Sequence, residues 1–287
     1  MLDKKTILFI GAGSMAEAMI AGIVSAQKLP SRQLIVSNRS NTDRLEELQE
    51  NYGIIGVPRE QLDLGQADII ILAMKPKDAE ISLQSIKNSL KPNQLILSVL
   101  AGVTTSFIEQ IVPTGQQVIR VMPNTSSMIG ESATAISEGE HTSKHNLLLA
   151  KEILQCIGEV YVLPEEKMDI FTGIAGSGPA YFYYLMEHME KEGQKAGLQP
   201  ELARHMIAQT ILGAAKMIQE QEETPAELRE NVTSPNGTTA AGLKALKEQG
   251  GGKAIAQAIQ QAASRSKEIS AELEQSIQTT VYQSKAM

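Results

Sequence analysis

Residues 6–26, TILFIGAGSMAEAMIAGIVSA, decide how this chain is read. From Thr6 to Ile10 the run is continuously apolar, the pattern of a parallel strand covered on both faces. From Met15 onward Met15, Met19, Ile20, Ile23 and Val24 recur at helical spacing. Between the two, Gly11-Ala12-Gly13 predicts a tight turn. Gly11 permits a backbone conformation that other residues resist, and Gly13 lets the main chain approach a ligand closely. The free N–H groups at the helix start, where Ser14 and Met15 lie, meet the positive end of the helix dipole and suit a diphosphate. The spacing Gly-x-Gly-x-x-Ala, with Ala16 at the helix-packing position, is a dinucleotide fingerprint ending in alanine. An ordinary strand-to-helix turn is the alternative. Strand before, helix after and a place at the head of the chain favour nucleotide binding.

Working outward, strand-length apolar segments recur at 34–37, 54–57, 69–73, 95–99, 118–122, 134–137 and 160–163, with helical patterns between them at 42–52, 78–90 and 143–157. This alternation predicts an α/β fold, a Rossmann-like domain with a parallel, doubly wound sheet. Beyond Pro164 the strand patterns stop, and helices are predicted over 179–196, 200–222, 225–232, 238–249 and 253 to about 283, with Gly250-Gly251-Gly252 as a break. The domains are accordingly 1–163, dinucleotide-binding, and 164–287, an all-α domain for substrate binding and dimerisation. In the second, Leu202, Met206, Ile207, Ile211, Leu212, Ala214 and Ala215 make a wide apolar belt. The last helix adds a stripe of Ile255, Ile259, Ala262, Ile269, Leu273 and Ile277. Too little chain remains to cover both, which predicts a homodimer through the helices; helices covering one another within one subunit are the alternative.

The length of 287 residues suits two domains, and a formal net charge of -7 without a basic block or tryptophan argues against nucleic acid as partner. The longest apolar runs, such as 69–74, are strand-sized, and no secretory segment precedes them, so no membrane span is expected. Cys156 is the single cysteine. It allows no internal disulfide and points to a reducing cytoplasm. His141 and His145 lack a third ligand at metal-site spacing and read as surface residues, so no metal is expected.

Past the second strand, Asn38-Arg39-Ser40 stands where a carboxylate would select NAD. An arginine with small hydroxyl residues suits a 2′-phosphate instead, and a solvated loop is the alternative. Ala73-Met74-Lys75-Pro76 and Ala101-Gly102 follow apolar strands, at the sheet edge that lines the ligand crevice of such folds; plain loops are the other reading. Gly173, Gly176 and Gly178 precede Pro179 at a helix start, suited to close packing or to a ligand. The last glycine-rich loop, Val232-Thr233-Ser234-Pro235-Asn236-Gly237-Thr238-Thr239, opens a helix. It carries more donors than one cap requires, which favours a compact carboxylate site.

Five pieces taken together, in this order, carry a resemblance: Gly11 to Ala16, Ala73 to Pro76, Val121-Met122-Pro123-Asn124-Thr125, Gly176 to Tyr181 and Val232 to Thr239. The chain resembles the pyrroline-5-carboxylate reductase family over essentially its full length. The resemblance implies reduction of the cyclic imine 1-pyrroline-5-carboxylate to L-proline by NADPH. It also implies an active site shared between one subunit's nucleotide domain and its partner's helical domain, and dimers that can assemble further. The family's substrate loop falls on Ser234, Gly237, Thr238 and Thr239, with Thr239 the group facing the ring nitrogen. Substrate-side acids fall on Glu165 and Glu222, and a cofactor-side asparagine on Asn231. Two positions depart: Asn236 replaces a glycine, and Glu60 stands where the family has an asparagine near the adenosine ribose. A carboxylate at Glu60 disfavours a 2′-phosphate, so NADH stays open beside NADPH.

The residue inventory agrees with this chemistry. A pyrroline nitrogen is basic enough to bring its own proton in part of the population, so the protein needs anchoring and orientation more than a strong acid. Similar 3-hydroxyacid dehydrogenases carry Gly-x-x-Gly-x-Gly-x-x-x-Lys in the helical half; here the lysine position is Phe182. A dehydrogenase of that type and a nucleotide-sensing protein without turnover are the competing readings.

Overall fold

The computed structural model describes the backbone of residues 2–285 and the side chains of Leu2 and residues 4–275. Strand β1 (Ile7–Ile10) leads into α1 (Ser14–Ser25), followed by β2 (Leu34–Asn38), α2 (Thr42–Tyr52), β3 (Ile55–Pro58) and β4 (Ile69–Leu72). Then come α3 (Ala79–Ile86), β5 (Leu95–Ser98), α4 (Thr105–Glu109), β6 (Gln117–Met122), β7 (Ser132–Glu138), α5 (Lys144–Leu154) and β8 (Gly158–Val162). All eight form one sheet in the order β3-β2-β1-β4-β5-β6-β7-β8. Along β1, Ile7 and Phe9 face α1, α2 and α5, while Leu8 and Ile10 face α3 and α4. A strand buried on both faces has no position for a polar residue, which is why it reads as an unbroken apolar run.

One expectation needs correcting: the sheet is not wholly parallel, because β7 runs antiparallel to β6. The reason lies in the connection. A single 3-10 turn, Thr125–Ile129, joins the two strands; it is opened by Asn124 Oδ1 accepting from Ser126 N at 3.0 Å and ended by Gly130 at φ 76°. That is too short for a crossover helix, so the chain returns beside itself. The order still reverses between β1 and β4, and the crevice at their carboxyl ends is the ligand position of open α/β sheets.

The chain gathers into two compact units: the segments up to Ser177 and from Gln260 on, and Gly178–Ile259. The first also holds α6 (Met168–Phe171) and the later part of α11 (Gly251–Lys285); the second holds α7 (Gly178–Lys195), α8 (Pro200–Glu220), α9 (Pro225–Asn231), α10 (Thr238–Glu248) and the start of α11. The predicted three-glycine break shrinks to Gly250, whose φ of 74° ends the turn while Gly251 and Gly252 are already helical. On α8, Ile207 is buried against the unit, but Leu202, Met206 and Leu212 are 52%, 51% and 48% exposed. The belt is therefore only partly covered within one chain: Ile207 is buried and Ile211 half-buried, while Leu202, Met206 and Leu212 stay bare. Ile255 is also exposed. Ile277, the last residue of the expected stripe, lies outside the described side chains. Among the described residues no helix is long and apolar enough to cross a membrane.

Candidate active site

Gly11 adopts φ 114°, and a Cβ there would lie 2.4 Å from the Ala73 carbonyl oxygen. Its N–H donates to Ser37 O at 2.9 Å, and Ala73 N–H donates to Ile10 O at 2.9 Å. The turn is thus wedged between the ends of β2 and β4, where only glycine fits. Gly13 differs. It is the extended N-cap of α1 (φ -77°, ψ 179°) with no side chain capping the helix, and a Cβ there would meet nothing within 4 Å. Protein packing does not demand a glycine at this position, whereas a diphosphate seated on the N–H groups of Ser14 and Met15 would, so the residues present fit a dinucleotide. Ala16 is fully buried beneath.

Arg44, which sequence reading missed, supports this turn from α2. Its Nε donates to Ala12 O at 3.2 Å, and its guanidinium pairs with Glu17 and with Glu47 at 2.7 Å. These hydrogen bonds, Glu47's first, raise its pKa, while burial and the charge of Glu17 raise that of Tyr52, whose hydroxyl donates to Glu17 at 3.1 Å. Only the pair with Glu47, three residues on in α2, is local; Ala12 and Glu17 lie in the turn and in α1, so nothing local marked Arg44's support of the turn.

At the end of β2 the side chain of Asn38 accepts from Arg39 N at 2.7 Å and orders the loop. Arg39 and Ser40 are exposed, and among the described residues Arg39 has no ion pair. Register places Asn38 opposite Pro58, so exposed Glu60 follows the neighbouring strand end without pairing to Arg39. Past β4, Lys75 and Pro76 join Lys77, Ile81 and residues Ile269 and Leu273 of α11 around a cleft of about 590 Å³. Ala101 is half-buried. Gly102 is not an open edge: at φ 75° it sits under α11, and a Cβ would come within 2.6 Å of Ile269 Cγ2.

Glu165, expected on the substrate side, is tied up inside the first unit. Thr105 N donates to its Oε1 at 2.8 Å, Thr105 Oγ1 to its Oε2 at 2.6 Å, and Arg120 to Oε1 at 3.4 Å. Arg120, only 4% exposed, also reaches Asp169 at 3.4 Å, and Asp169 accepts from Ser266 Oγ of α11 at 2.7 Å. Nearby, Thr172–Gly176 is π-helical; a Cβ on Gly176 would meet Met122 Cε at 2.7 Å, which favours close packing at that glycine, whereas a Cβ on Gly178 would meet nothing within 4 Å.

In the second unit, Asn236 takes φ 60°, the left-handed conformation asparagine tolerates. Gly237 N donates to Ser234 O at 3.0 Å, and a Cβ on Gly237 would lie 2.3 Å from Ser234 Oγ. Gly237 is the extended N-cap of α10 (φ -80°, ψ 177°), again without a side-chain cap. Ser234, Thr238 and Thr239 are exposed, and their hydroxyls have no partner among the described residues. Glu222, in the turn before α9, and Asn231, at the end of α9, are exposed as well. Phe182, in place of the dehydrogenase lysine, is 53% exposed on α7.

Two family models match the chain: one described as pyrroline-5-carboxylate reductase dimerisation, over residues 165–269, and one as NADP oxidoreductase, coenzyme F420-dependent, over 6–102. The chain is 62% identical over 272 residues to pyrroline-5-carboxylate reductase 1 of Bacillus subtilis, covering 95% of this chain and 92% of that one. Among solved structures it is similar to the Plasmodium falciparum pyrroline carboxylate reductase with NADP bound, at 28% identity and a TM-score of 0.85 over 93% of this chain and 99% of that one. It is also similar to the pyrroline-5-carboxylate reductase of Coxiella burnetii, at 32% identity and a TM-score of 0.82 over 93% and 98%.

Proposed function

The chain belongs to the pyrroline-5-carboxylate reductase family, and on that premise we propose that Ser234, Gly237, Thr238 and Thr239 hold the carboxylate of the imine while the turn from Gly11 to Ala16 holds the dinucleotide. The activity is the NAD(P)H-dependent reduction of 1-pyrroline-5-carboxylate to L-proline. The observation that carries the site assignment is the start of α10. Its glycine N-cap leaves the first N–H groups without a side-chain cap, and the three hydroxyls beside them have no partner among the described residues. That arrangement wants an anion.

Bound at α1, the dinucleotide supplies the hydride. The protein's part is to anchor and orient. The loop N–H groups and the hydroxyls of Ser234 and Thr238 grip the carboxylate, and Thr239 hydrogen-bonds the ring nitrogen. As the imine carbon gains the hydride, the nitrogen keeps the proton it already carries and becomes a secondary amine. Positioning of this kind contributes on the order of 7–11 kcal/mol to lowering the barrier. Lys75, Pro76 and Ala101 line the cofactor side, and Asn231 is a further cofactor-side residue by family resemblance. Arg39, which has no ion pair among the described residues, takes the 2′-phosphate, with NADPH as first donor and NADH as second. Residues 1–163 serve the nucleotide, and 164–287 serve the substrate and the dimer. The bare belt of α8 and the match to a dimerisation model support a homodimer, which can assemble further, in the cytoplasm.

The test is the loss of reduced-nicotinamide absorbance with 1-pyrroline-5-carboxylate, run with NADPH and with NADH, against a 3-hydroxyacid plus oxidised cofactor. Rapid oxidation by the imine alone is expected. Silence in a folded, cofactor-binding protein would remove the carboxylate loop from its role.

A further inference from the structure

The loop that follows β5 is held from two sides, and both holds trace to one buried cation. Thr105 is fixed through its N–H and its hydroxyl by the two oxygens of Glu165, at 2.8 and 2.6 Å. Gly102 is fixed by Ile269 of α11, and α11 is itself tied by Ser266 to Asp169 at 2.7 Å. Arg120, 4% exposed, lies 3.4 Å from both Glu165 and Asp169. A buried guanidinium left with one carboxylate instead of two is costly, so each acid is constrained to stay where it is. Glu165 accepts from Thr105 at both oxygens and from Arg120 at Oε1, which orients its carboxylate toward the loop after β5.

We infer that Glu165 is a positioning residue for the dinucleotide: acting through Thr105, it sets the Ala101–Gly102 edge against which the nicotinamide lies. This rests on the reading of that edge under the proposed function. It assigns Glu165 to cofactor geometry and takes it off the substrate side, where resemblance alone would put it. The chemistry asked of it is acceptance of two hydrogen bonds from one threonine, a bidentate grip that fixes both the start of α4 and the residues just before it.

The experiment uses the full-length enzyme with NADPH and 1-pyrroline-5-carboxylate, reading nicotinamide fluorescence for dinucleotide affinity and steady-state rates for both KM values. Glu165→Gln and Thr105→Ala are each expected to weaken dinucleotide affinity by about five- to tenfold, with the imine KM and the pH profile of kcat/KM unmoved. Thr105→Ser is expected to restore affinity, and the double variant to be no weaker than Glu165→Gln alone. A shifted imine KM or pH profile in Glu165→Gln at unchanged dinucleotide affinity would return Glu165 to the substrate and overturn the inference. So would full additivity, or Thr105→Ser behaving like Thr105→Ala. If Glu165→Gln fails to fold, the Thr105 pair decides alone. Ala101→Val separates the premise from the inference. If it weakens NADPH binding and Thr105→Ala does not, the positioning role fails; if neither does, the nicotinamide edge itself has been misassigned.

Discussion

Helices α1 and α10 begin alike, each at an extended glycine, Gly13 (φ -77°, ψ 179°) and Gly237 (φ -80°, ψ 177°), with no side chain capping either. Helices α2, α4, α5 and α9 are closed by Asn41, Thr104, Ser143 and Thr224, whereas α3, α6 and α8 also lack a side-chain cap but start from Asp78, Lys167 and Gln199, not from a glycine. A cap satisfies one of the orphan N–H groups of a helix start; leaving it out keeps them for a ligand. The two glycine starts differ in what holds them. That of α1 is locked by the sheet, through a glycine that packs against Ala73, and presents few side-chain donors, as suits a diphosphate gripped by backbone. That of α10 is shaped by its own loop, through Asn236 in left-handed geometry and Ser234 folded against Gly237, and it adds three hydroxyls, as suits a small carboxylate beside a reacting nitrogen. Under the proposed function, shared backbone geometry supplies the anion site and the surrounding residues choose the anion.

Four substitutions break or sharpen this contrast, in falling order of effect. Gly11→Ala forces a Cβ into the Ala73 carbonyl at a positive φ and is expected to cost at least about 3 kcal/mol in urea unfolding, with loss of the nucleotide site. Thr239→Ala is expected to lower turnover by about 100-fold while leaving NADPH affinity in place; equal loss of both would remove its catalytic assignment. Gly13→Ala, with no neighbour to strike, should keep stability within about 0.5 kcal/mol yet weaken both dinucleotides, a split that a titration against NADPH and NADH reads directly. Arg39→Ala should raise the KM for NADPH by roughly tenfold and leave that for NADH alone, and no difference would discard the 2′-phosphate reading.

The smallest effect belongs to the capped control. Thr224→Ala should cost about 1 kcal/mol of stability and leave kcat unchanged, the reverse of what is expected at the uncapped loop. The backbone and hydroxyl of Thr224 hold the Glu227 carboxyl below its ordinary pKa. Its contribution is therefore present above the ordinary carboxylate range and fades as pH falls through it; the variant keeps the backbone N–H and loses only the hydroxyl, so its acid titration should show a smaller but not absent decline.

Much of this was legible in the chain. Buried strands announce themselves because a two-faced core tolerates only apolar residues, and helix ends because proline and glycine punctuate them; the glycine turn and the substrate loop show as short contiguous patterns. The direction of β7 was hidden, since a strand's residues look the same whichever way its neighbour runs; only the brevity of the link from Met122 to Ser132 carried a clue. The contacts of Glu165 and Gly102 were hidden for a different reason. Glu165 meets Thr105 across 60 positions of sequence, and Gly102 meets Ile269 across a still longer span, so no local pattern records either contact. Arg44 escaped notice for the same reason.

The sequence by itself determined the order of strands and helices along the chain, the two glycine turns at helix starts and the family, because each is written in neighbouring residues whose spacing follows from backbone geometry. Tertiary structure alone decided which glycines are wedged and which are open, which acid is free and which is held by a buried arginine, and which apolar faces remain bare. These depend on groups far apart in the chain meeting in space, and burial, charge pairing and close contact are set only where they meet.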